Sequence, residues 1–380
     1  MATDPFLQRP IARIGFITVM AFGWTSIILL PIQIDAYVRV LGLPEATAAL
    51  LASAEVAALA LAALGLSVII DRLDKRLLCT VACMVIIAAN LVSLGTGAGP
   101  LLIAMRLFAG AGFGAIVAAT NAVPSQTASS GAMFRWSQFA VGLFGFVILV
   151  ALPLLAAWPA TQALFLLEIA AGVIALLCCS GVPAARRAKA SSAAPMPLTW
   201  RIAGGLFSIF AFFLAQTCIW GFTSRVSSSL AMNAHDVELL LAVSLLIGVA
   251  GAVAAMVLAE RWRFIAPFTL GYCGVALFGW LIYAARDQAG FAFGLLAVNF
   301  FIIFATPYIL DVLGRCDPQG RVAAAGGAFI NFGCAAAPFI SGLAVSRMGY
   351  QSVGWISAAL LAAGLLAIWP AARMTERQLG

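Results

Sequence analysis

Long apolar runs separated by short polar breaks dominate this chain. Each run is about 20 residues long, which is the length that an α-helix needs to cross the hydrocarbon core of a bilayer. Twelve such runs are present, at 14–36, 47–70, 77–95, 100–122, 134–157, 160–181, 201–224, 237–259, 264–284, 290–313, 322–345 and 353–371. The pattern therefore predicts an all-α membrane protein with twelve transmembrane helices.

Composition excludes a soluble protein. Of the 380 residues, 64% are hydrophobic and only 9% are charged, and the mean hydropathy is +1.08. A soluble domain is nearer to half apolar and a quarter charged, and its surface-to-volume ratio would not let a chain of this size bury so much apolar surface. A soluble enzyme, a disordered chain and a nucleic-acid-binding module are excluded. The first run is not followed by an A-x-A-type cleavage site, so we interpret it as a spanning helix rather than a signal peptide.

The chain is predicted to consist of two similar halves. The one long polar break, 182–200, lies between the sixth and seventh runs, so we expect a six-helix bundle at 1–181, a cytoplasmic linker at 182–200 and a second bundle at 201–380. Asp71-Arg72 follows the second run, and Glu260-Arg261 follows the eighth. Internal repeats of this kind are typical of transporters that bind their solute near the bilayer midplane and expose it to the two sides in turn.

The positive charge is distributed unevenly along the chain. The net charge is +7, and with the N-terminus in the cytoplasm 16 of the 21 Lys and Arg residues fall in cytoplasmic segments and 4 in outer segments. Because cytoplasmic loops carry the excess of basic residues, we expect both termini in the cytoplasm and a bacterial inner membrane as the location. The basic balance is then explained by topology and does not indicate a nucleic-acid partner.

The loop after the second run is similar to a motif of the major facilitator superfamily. That motif reads G-x-x-x-D-R-x-G-R-[RK]; here Asp71, Arg72 and Arg76 match it, whereas Ser67 and Asp74 replace its two glycines. The resemblance implies a role in conformational switching for the three matching residues, and the repeat extends this to the corresponding acid–arginine pair of the second half. A basic loop that only sets the topology is the alternative.

The fourth run resembles a second motif of the same family, R-x-x-x-G-x-G-x-[GA]. Arg106, Gly110, Gly112 and Gly114 match it. The small residues are spaced to let a neighbouring helix approach closely, and Arg106 would lie about 9 Å below the outer end of its helix. The resemblance implies the twelve-helix major facilitator fold, secondary transport by alternating access, and an arginine associated with proton coupling. A static anchor between helices is the alternative interpretation of Arg106.

Three acidic residues belong to the same outer half of the first bundle. Glu55 in the second run and Glu168 in the sixth lie about 12 Å deep, and Asp35 ends the first run. A carboxylate at that depth must pair with Arg106 or take up a proton, because an unpaired charge in an apolar environment is costly. A carboxyl group that alternates between these states couples proton movement to transport. A permanently buried structural pair is the alternative.

The second half offers only uncharged candidates for solute binding. Asn299 stands near the position that corresponds to Arg106, and Ser244 corresponds to Glu55. Across both halves, the polar and aromatic residues within the runs that we expect to contact a solute are Trp24 and Gln33 of the first half and Gln216, Trp220, Asn299, Tyr308 and Asn331 of the second. Their character favours a small, partly apolar organic solute, with a proton as the second partner of a monomeric carrier.

Two other functions remain open, and enzymatic activity does not fit. An efflux pump for hydrophobic compounds is one alternative, although the fifth run lacks the G-x-x-x-G-P-x-x-G-G signature of drug antiporters. A non-transporting receptor on the same fold is the other. The sequence contains no phosphate-binding loop, no cluster of metal ligands and no nucleophile–base pair, so we expect no cofactor, no metal and no enzyme.

Single cysteines test the predicted topology. A cysteine at Ser191, in the linker, should be protected from a membrane-impermeant thiol reagent in intact cells, whereas one at Ser228 should react. Labelling of the parent protein provides the background from native cysteines. Labelling at Ser191 in intact cells would reverse the orientation.

Overall fold

A computed structural model describes residues 9–122, 130–184, 199–259, 265–316 and 321–379, and within these ranges the regular structure is entirely helical. Ten helices there are long and apolar enough to cross a membrane, and two shorter apolar helices lie at Pro10–Phe22 and Phe139–Leu155. Each of the twelve predicted runs coincides with one or more of these helices. The prediction of an all-α membrane protein is confirmed.

The chain forms two compact units, Met1–Ala193 and Ala194–Gly380. The α-helices of unit 1 are α1 (Pro10–Phe22), α2 (Thr25–Ile28), α3 (Leu30–Arg39), α4 (Glu45–Ser67), α5 (Lys75–Leu94), α6 (Pro100–Asn121), α7 (Ser130–Ala151) and α8 (Ala160–Cys178). Those of unit 2 are α9 (Trp200–Gly221), α10 (Thr223–Ser229), α11 (Ala234–Ala259), α12 (Ile265–Ala284), α13 (Gln288–Cys316), α14 (Arg321–Met348) and α15 (Gln351–Leu379). Short 3₁₀ segments at Ile70–Arg72, Leu152–Leu155 and Cys179–Gly181 follow α4, α7 and α8.

The first predicted span is not one continuous helix, which corrects the expectation for 14–36. It is divided into α1, α2 and α3 by breaks at Gly23–Trp24 and at Leu29. Pro31 lies in the first turn of α3, where its missing N–H cannot continue the hydrogen bonds of the preceding turn. The Thr25 hydroxyl donates to the Phe22 carbonyl at 2.7 Å and satisfies one group that the first break exposes. The residues after the break are therefore held on separate short helices.

Glycines bring two helices of unit 1 into backbone contact. A Cβ atom on Gly110 would overlap the Glu55 carbonyl oxygen, and one on Gly114 would overlap the Leu59 carbonyl oxygen. These two glycines lie one turn apart on the face of α6 that packs on α4. The close approach that the small-residue spacing predicts is present, and it fixes Glu55 beside the helix that carries Arg106.

Unit 2 has a similar helix contact, but here the glycine lies on the second span of the unit instead of the fourth. Here α11 packs on α13, and a Cβ atom on Gly251 of α11 would overlap the Phe300 carbonyl oxygen of α13. The helix pair is the same by chain order, but the small residues have moved from the fourth helix of the unit to the second. The two units therefore share a packing arrangement rather than a residue pattern.

The helices carry large apolar residues on their outer faces and polar residues inside. Leu177, Trp355 and Leu366 are exposed to 76%, 63% and 75%, which suits a surface in contact with lipid. Arg106 and Glu55 have no exposed surface. This arrangement is the reverse of a soluble protein and agrees with a protein embedded in a bilayer.

A glycine-to-alanine pair tests the helix contact. Gly114→Ala should lower the thermal unfolding midpoint in detergent, because the added methyl group meets a backbone atom and overpacking costs about 1–3 kcal/mol. Gly65→Ala is the matched control: Gly65 lies in α4 and an added Cβ atom has no neighbour within 4 Å. That variant should keep or raise the midpoint, since alanine is the better helix former. Equal midpoints for the two variants would contradict the packing.

Candidate functional site

A buried guanidinium group lies at the centre of unit 1. Arg106 has no exposed surface, and its Nη2 donates to Oδ1 of Asn90 at 2.8 Å and to the hydroxyl of Ser93 at 3.0 Å. Both partners lie one turn apart on α5. Because an arginine cannot lose its proton in a protein, these neutral groups act as permanent acceptors that hold its position.

Two carboxyl groups share the other terminal nitrogen of the guanidinium. Arg106 Nη1 lies 3.4 Å from Oε2 of Glu168 on α8 and 3.8 Å from Oε2 of Glu55 on α4. The Phe165 ring packs over the guanidinium carbon at 4.5 Å from its centroid, a cation–π arrangement that also excludes water. We call Arg106, Glu55, Glu168, Asn90 and Ser93 the arginine cluster.

Glu55 is also connected to the first span. Gln33 on α3 donates from Nε2 to Glu55 Oε2 at 2.6 Å and to the Tyr37 hydroxyl at 2.9 Å. Within the described residues, three buried polar atoms here have no hydrogen-bond partner: Gln33 Oε1, Glu55 Oε1 and Arg106 Nε. Buried polar groups are normally paired, so three such atoms in one place distinguish this site from an ordinary helix interface.

Asp35 does not belong to the cluster. Its carboxylate forms an ion pair with Arg39, one turn later on α3. The Asp35 side chain is buried, whereas that of Arg39 is 48% exposed. Three of the four predicted ionisable residues thus come together, and the fourth has a counter-charge of its own.

Sequence reasoning missed the neutral members of the site. Asn90, Ser93 and Tyr37 were not among the predicted residues, yet all three are buried. Asn90 and Ser93 are three residues apart in the apolar run 77–95, so they share one helical face. That spacing of two polar residues inside a spanning helix is the signal that could have identified them.

Of the polar residues predicted for solute binding in unit 2, some form hydrogen bonds within the unit and one has an oxygen without such a bond. Asn299 donates to the hydroxyl of Ser244 at 3.2 Å, and Tyr308 donates to the Ala255 carbonyl at 3.0 Å. Asn331 is buried, and its Oδ1 has no hydrogen-bond partner in the described part of the chain. The pair Asn299–Ser244 joins α13 to α11, the fourth and second spans of unit 2 by chain order, as Arg106 and Glu55 face each other between α6 and α4.

The remaining predicted solute residues lie on the first helices of the two units. Gln216 is half-buried and Trp220 is buried, and they lie four residues apart on α9. Trp24 is half-buried at the break between α1 and α2. Gln33 lies in the same broken span, but its amide is bonded to Glu55 rather than free.

The predicted switch loop is described in part. Arg76 donates from Nε to the Val182 carbonyl at 3.0 Å and so ties the start of α5 to the segment after α8. Asp74, which replaces a motif glycine, accepts from the Leu77 amide at 3.0 Å and caps α5. Arg72 is exposed. The side chain of Asp71, and the whole of Glu260 and Arg261, lie outside the described residues.

Comparison with known proteins identifies the fold. No family model and no curated protein matches the chain. The inward-open xylose transporter XylE from E. coli superposes with a TM-score of 0.71 at 14% identity over 94% of this chain and 95% of that one. A D-xylose-proton symporter gives 0.70 at 16% identity, covering 94% and 96%. The human organic anion transporter MFSD10 (TETRAN) gives 0.67 at 14% identity, covering 97% and 100%. The chain has the major facilitator fold.

Two asparagines provide a matched test of the cluster. Asn90 and Asn299 each donate to the carbonyl one turn earlier, and each also bonds to another helix, Asn90 to charged Arg106 and Asn299 to the neutral Ser244. Asn90→Ala should cost about 1.5–3 kcal/mol, because its second bond is to a charged group, and Asn299→Ala about 0.5–1.5 kcal/mol. Thermal unfolding of both variants in detergent measures the difference. Equal losses would mean that Arg106 does not depend on Asn90.

Proposed function

We propose that the protein is a proton-coupled secondary transporter that moves a small, partly apolar organic solute by alternating access. The observation that carries the proposal is the composition of the arginine cluster. Glu55 and Glu168 share the single guanidinium of Arg106 in a site without exposed surface on either Glu55 or Arg106.

Charge balance requires a proton in this cluster. Two ionised carboxylates and one guanidinium would leave a buried net negative charge, which costs several kcal/mol in an apolar interior. Asp35 and Arg39 already form a separate pair and leave the balance of the cluster unchanged. One carboxyl group therefore holds a proton while the cluster is closed, and releases it when the site opens to water. This is the elementary step of proton coupling in a membrane protein.

Unit 2 supplies neutral contacts for the solute. Hydrogen bonds within the unit occupy Asn299 and Tyr308, so we assign the solute contacts first to Asn331, Gln216 and Trp220. Asn331 offers an unbonded acceptor oxygen, and Trp220 offers an apolar ring surface. This combination suits a solute with few polar groups and an apolar part, as expected from the sequence.

The loop that begins α5 is proposed as the conformational switch. The bond from Arg76 to the Val182 carbonyl joins two segments of unit 1, and Asp71 and Arg72 supply the charges of the motif. Glu260 and Arg261 are proposed to play the same role in unit 2. The bundle boundaries 1–181 and 201–380, cytoplasmic termini, location in a bacterial inner membrane and a monomeric carrier complete the proposal.

The neighbours in structure indicate where a search for the solute begins. Two are described as carriers of xylose and one as an organic anion transporter, so small organic anions with an apolar part are the first candidates, and pentoses, which lack the apolar part, are the contrasting compounds. A growth comparison of a strain that lacks the gene on such compounds identifies the solute. Counterflow in proteoliposomes then separates transport from a receptor, and the direction of the gradient-driven flux separates uptake from efflux of hydrophobic compounds.

The variant Glu55→Gln tests the coupling. Glutamine imitates the protonated acid permanently, so accumulation driven by a pH gradient should be lost, whereas solute exchange, which needs no net proton movement, should survive. Both fluxes are measured in the same proteoliposomes. Glu45→Gln, at the start of the same helix and outside the cluster, is the matched control and should retain both.

Full gradient-driven transport in Glu55→Gln would make Glu55 a structural group and move the coupling to Glu168, to Asp35 or to no carboxyl group. Arg106→Ala should lose exchange as well as accumulation, because it leaves the buried carboxyl groups without a counter-charge.

A further inference from the structure

We propose that the side-chain amide of Gln33 rotates by about 180° when Glu55 takes up a proton. The end of the amide that points away from Glu55 then changes from an acceptor, the carbonyl oxygen, to a donor, the NH₂ group. The inference rests on the proposed function, since it takes Glu55 as the group that binds the proton. Gln33 thereby becomes a positioning residue that links proton binding to solute binding.

The geometry around the amide permits two orientations. Gln33 is 3% exposed, and Glu55 and Tyr37 have no exposed surface. One end of the amide lies between the Glu55 carboxyl group at 2.6 Å and the Tyr37 hydroxyl at 2.9 Å. The other end has no hydrogen-bond partner within the described residues. Because the oxygen and the nitrogen of a glutamine amide are nearly equal in size, either can occupy the end between the two partners.

The separation from Glu55 permits a hydrogen bond with either donor. The two side chains lie 2.6 Å apart, within reach of an amide N–H group that donates to the carboxylate and of a carboxylic acid O–H group that donates to the amide oxygen. In the protonated state the amide oxygen lies at this end and accepts from Glu55.

Tyr37 favours the same orientation. Among the described residues, the Tyr37 hydroxyl has Gln33 as its hydrogen-bond partner, and an amide NH₂ group cannot accept the hydroxyl proton. When the amide oxygen occupies this end, it accepts from Tyr37 and from protonated Glu55 together, which uses both of its lone pairs. When Glu55 is ionised, the amide nitrogen donates to both residues instead.

The charged groups around this site allow the change. The oxygen of Glu55 that contacts Gln33, Oε2, also lies 3.8 Å from Nη1 of Arg106 on α6, and Glu168 of α8 lies nearer to the same nitrogen at 3.4 Å. Asp35 of α3 is paired with Arg39. Protonation of Glu55 therefore leaves Arg106 with Glu168 as its nearer counter-charge, and the hydrogen bond between Glu55 Oε2 and Gln33 is the contact that must change its donor.

The free end of the amide changes its chemistry as a result. With ionised Glu55 it is a carbonyl oxygen, which binds a donor; with protonated Glu55 it is an NH₂ group, which binds an acceptor. This end is buried, so a solute reaches it only when the site opens; for co-transport of solute and proton, the NH₂ group then selects a solute that presents an acceptor oxygen, such as a hydroxyl, carbonyl or carboxylate oxygen. Binding of the proton and binding of the solute then favour each other.

Infrared difference spectroscopy tests the half-rotation without a solute, with the proton as the probe. Full-length protein with ¹³C-labelled glutamine is reconstituted in liposomes, and spectra at alkaline pH are subtracted from spectra at acid pH. Acidification should produce a carboxylic acid band and a shift of a glutamine amide carbonyl band. Glu55→Gln should remove both changes. Gln33→Met should remove the amide shift and keep the carboxylic acid band, and Gln162→Met, a half-buried glutamine on α8, should keep both.

A second variant covers the case in which Gln33→Met does not fold. In Tyr37→Phe the acid form of the amide carbonyl loses one of its two donors, so its band should move to higher frequency in acid and stay in place at alkaline pH. An acid band at the wild-type frequency in this variant would overturn the half-rotation. So would a Glu55-dependent carboxylic acid band with no accompanying glutamine shift, an outcome that leaves the proposed function intact. Absence of any Glu55-dependent carboxylic acid band would overturn the inference at its premise and move proton binding to another carboxyl group, which the transport assay of Glu55→Gln checks independently.

Discussion

The buried guanidinium of Arg106 constrains how the helices of unit 1 pack around it. A permanent charge inside an apolar bundle must be surrounded by acceptors, because the free energy of leaving it unpaired exceeds that of most single contacts. Three neighbouring helices supply them: α4 with Glu55, α5 with Asn90 and Ser93, and α8 with Glu168. The glycines of α6 let α4 approach closely enough to take part. The packing and the polar contacts of these four helices thus follow from one residue.

Unit 2 shows what the same scaffold does without a charge. Asn299 of α13 and Ser244 of α11, the helices that correspond by chain order to α6 and α4, are joined by a single neutral hydrogen bond. A close helix contact is present here too, although its glycine lies on α11. The two units therefore share this contact and differ in its polar chemistry. This difference is why we propose proton binding in unit 1 and solute contacts mainly in unit 2.

The sequence predicts those features that a single large contribution to the free energy determines. Apolar runs identify the spans because lipid penalises every unpaired backbone group, and depth along a helix brings Arg106, Glu55 and Glu168 to a common level. Asn90 and Ser93 escaped prediction because a single amide or hydroxyl within an apolar run is ordinary until its partner is known. The hydrogen bond from Gln33 to Glu55 escaped prediction for the same reason: the sequence shows an uncharged polar side chain, and only the structure shows the carboxyl group beside it.

The division of the first span is a feature that hydropathy does not predict. A hydropathy pattern averages over Gly23 and Trp24, so the sequence predicts one helix where the structure has three. The interruption at Leu29 is slight, because Leu29 keeps α-helical backbone angles and the Gln33 backbone amide donates to the Leu29 carbonyl across it. Helix α3 is buried from Leu30 to Tyr37, and Gln33 joins it to Glu55 by a side-chain hydrogen bond. The first span is therefore held to the arginine cluster through one side-chain amide, a connection that an average over apolar residues cannot reveal.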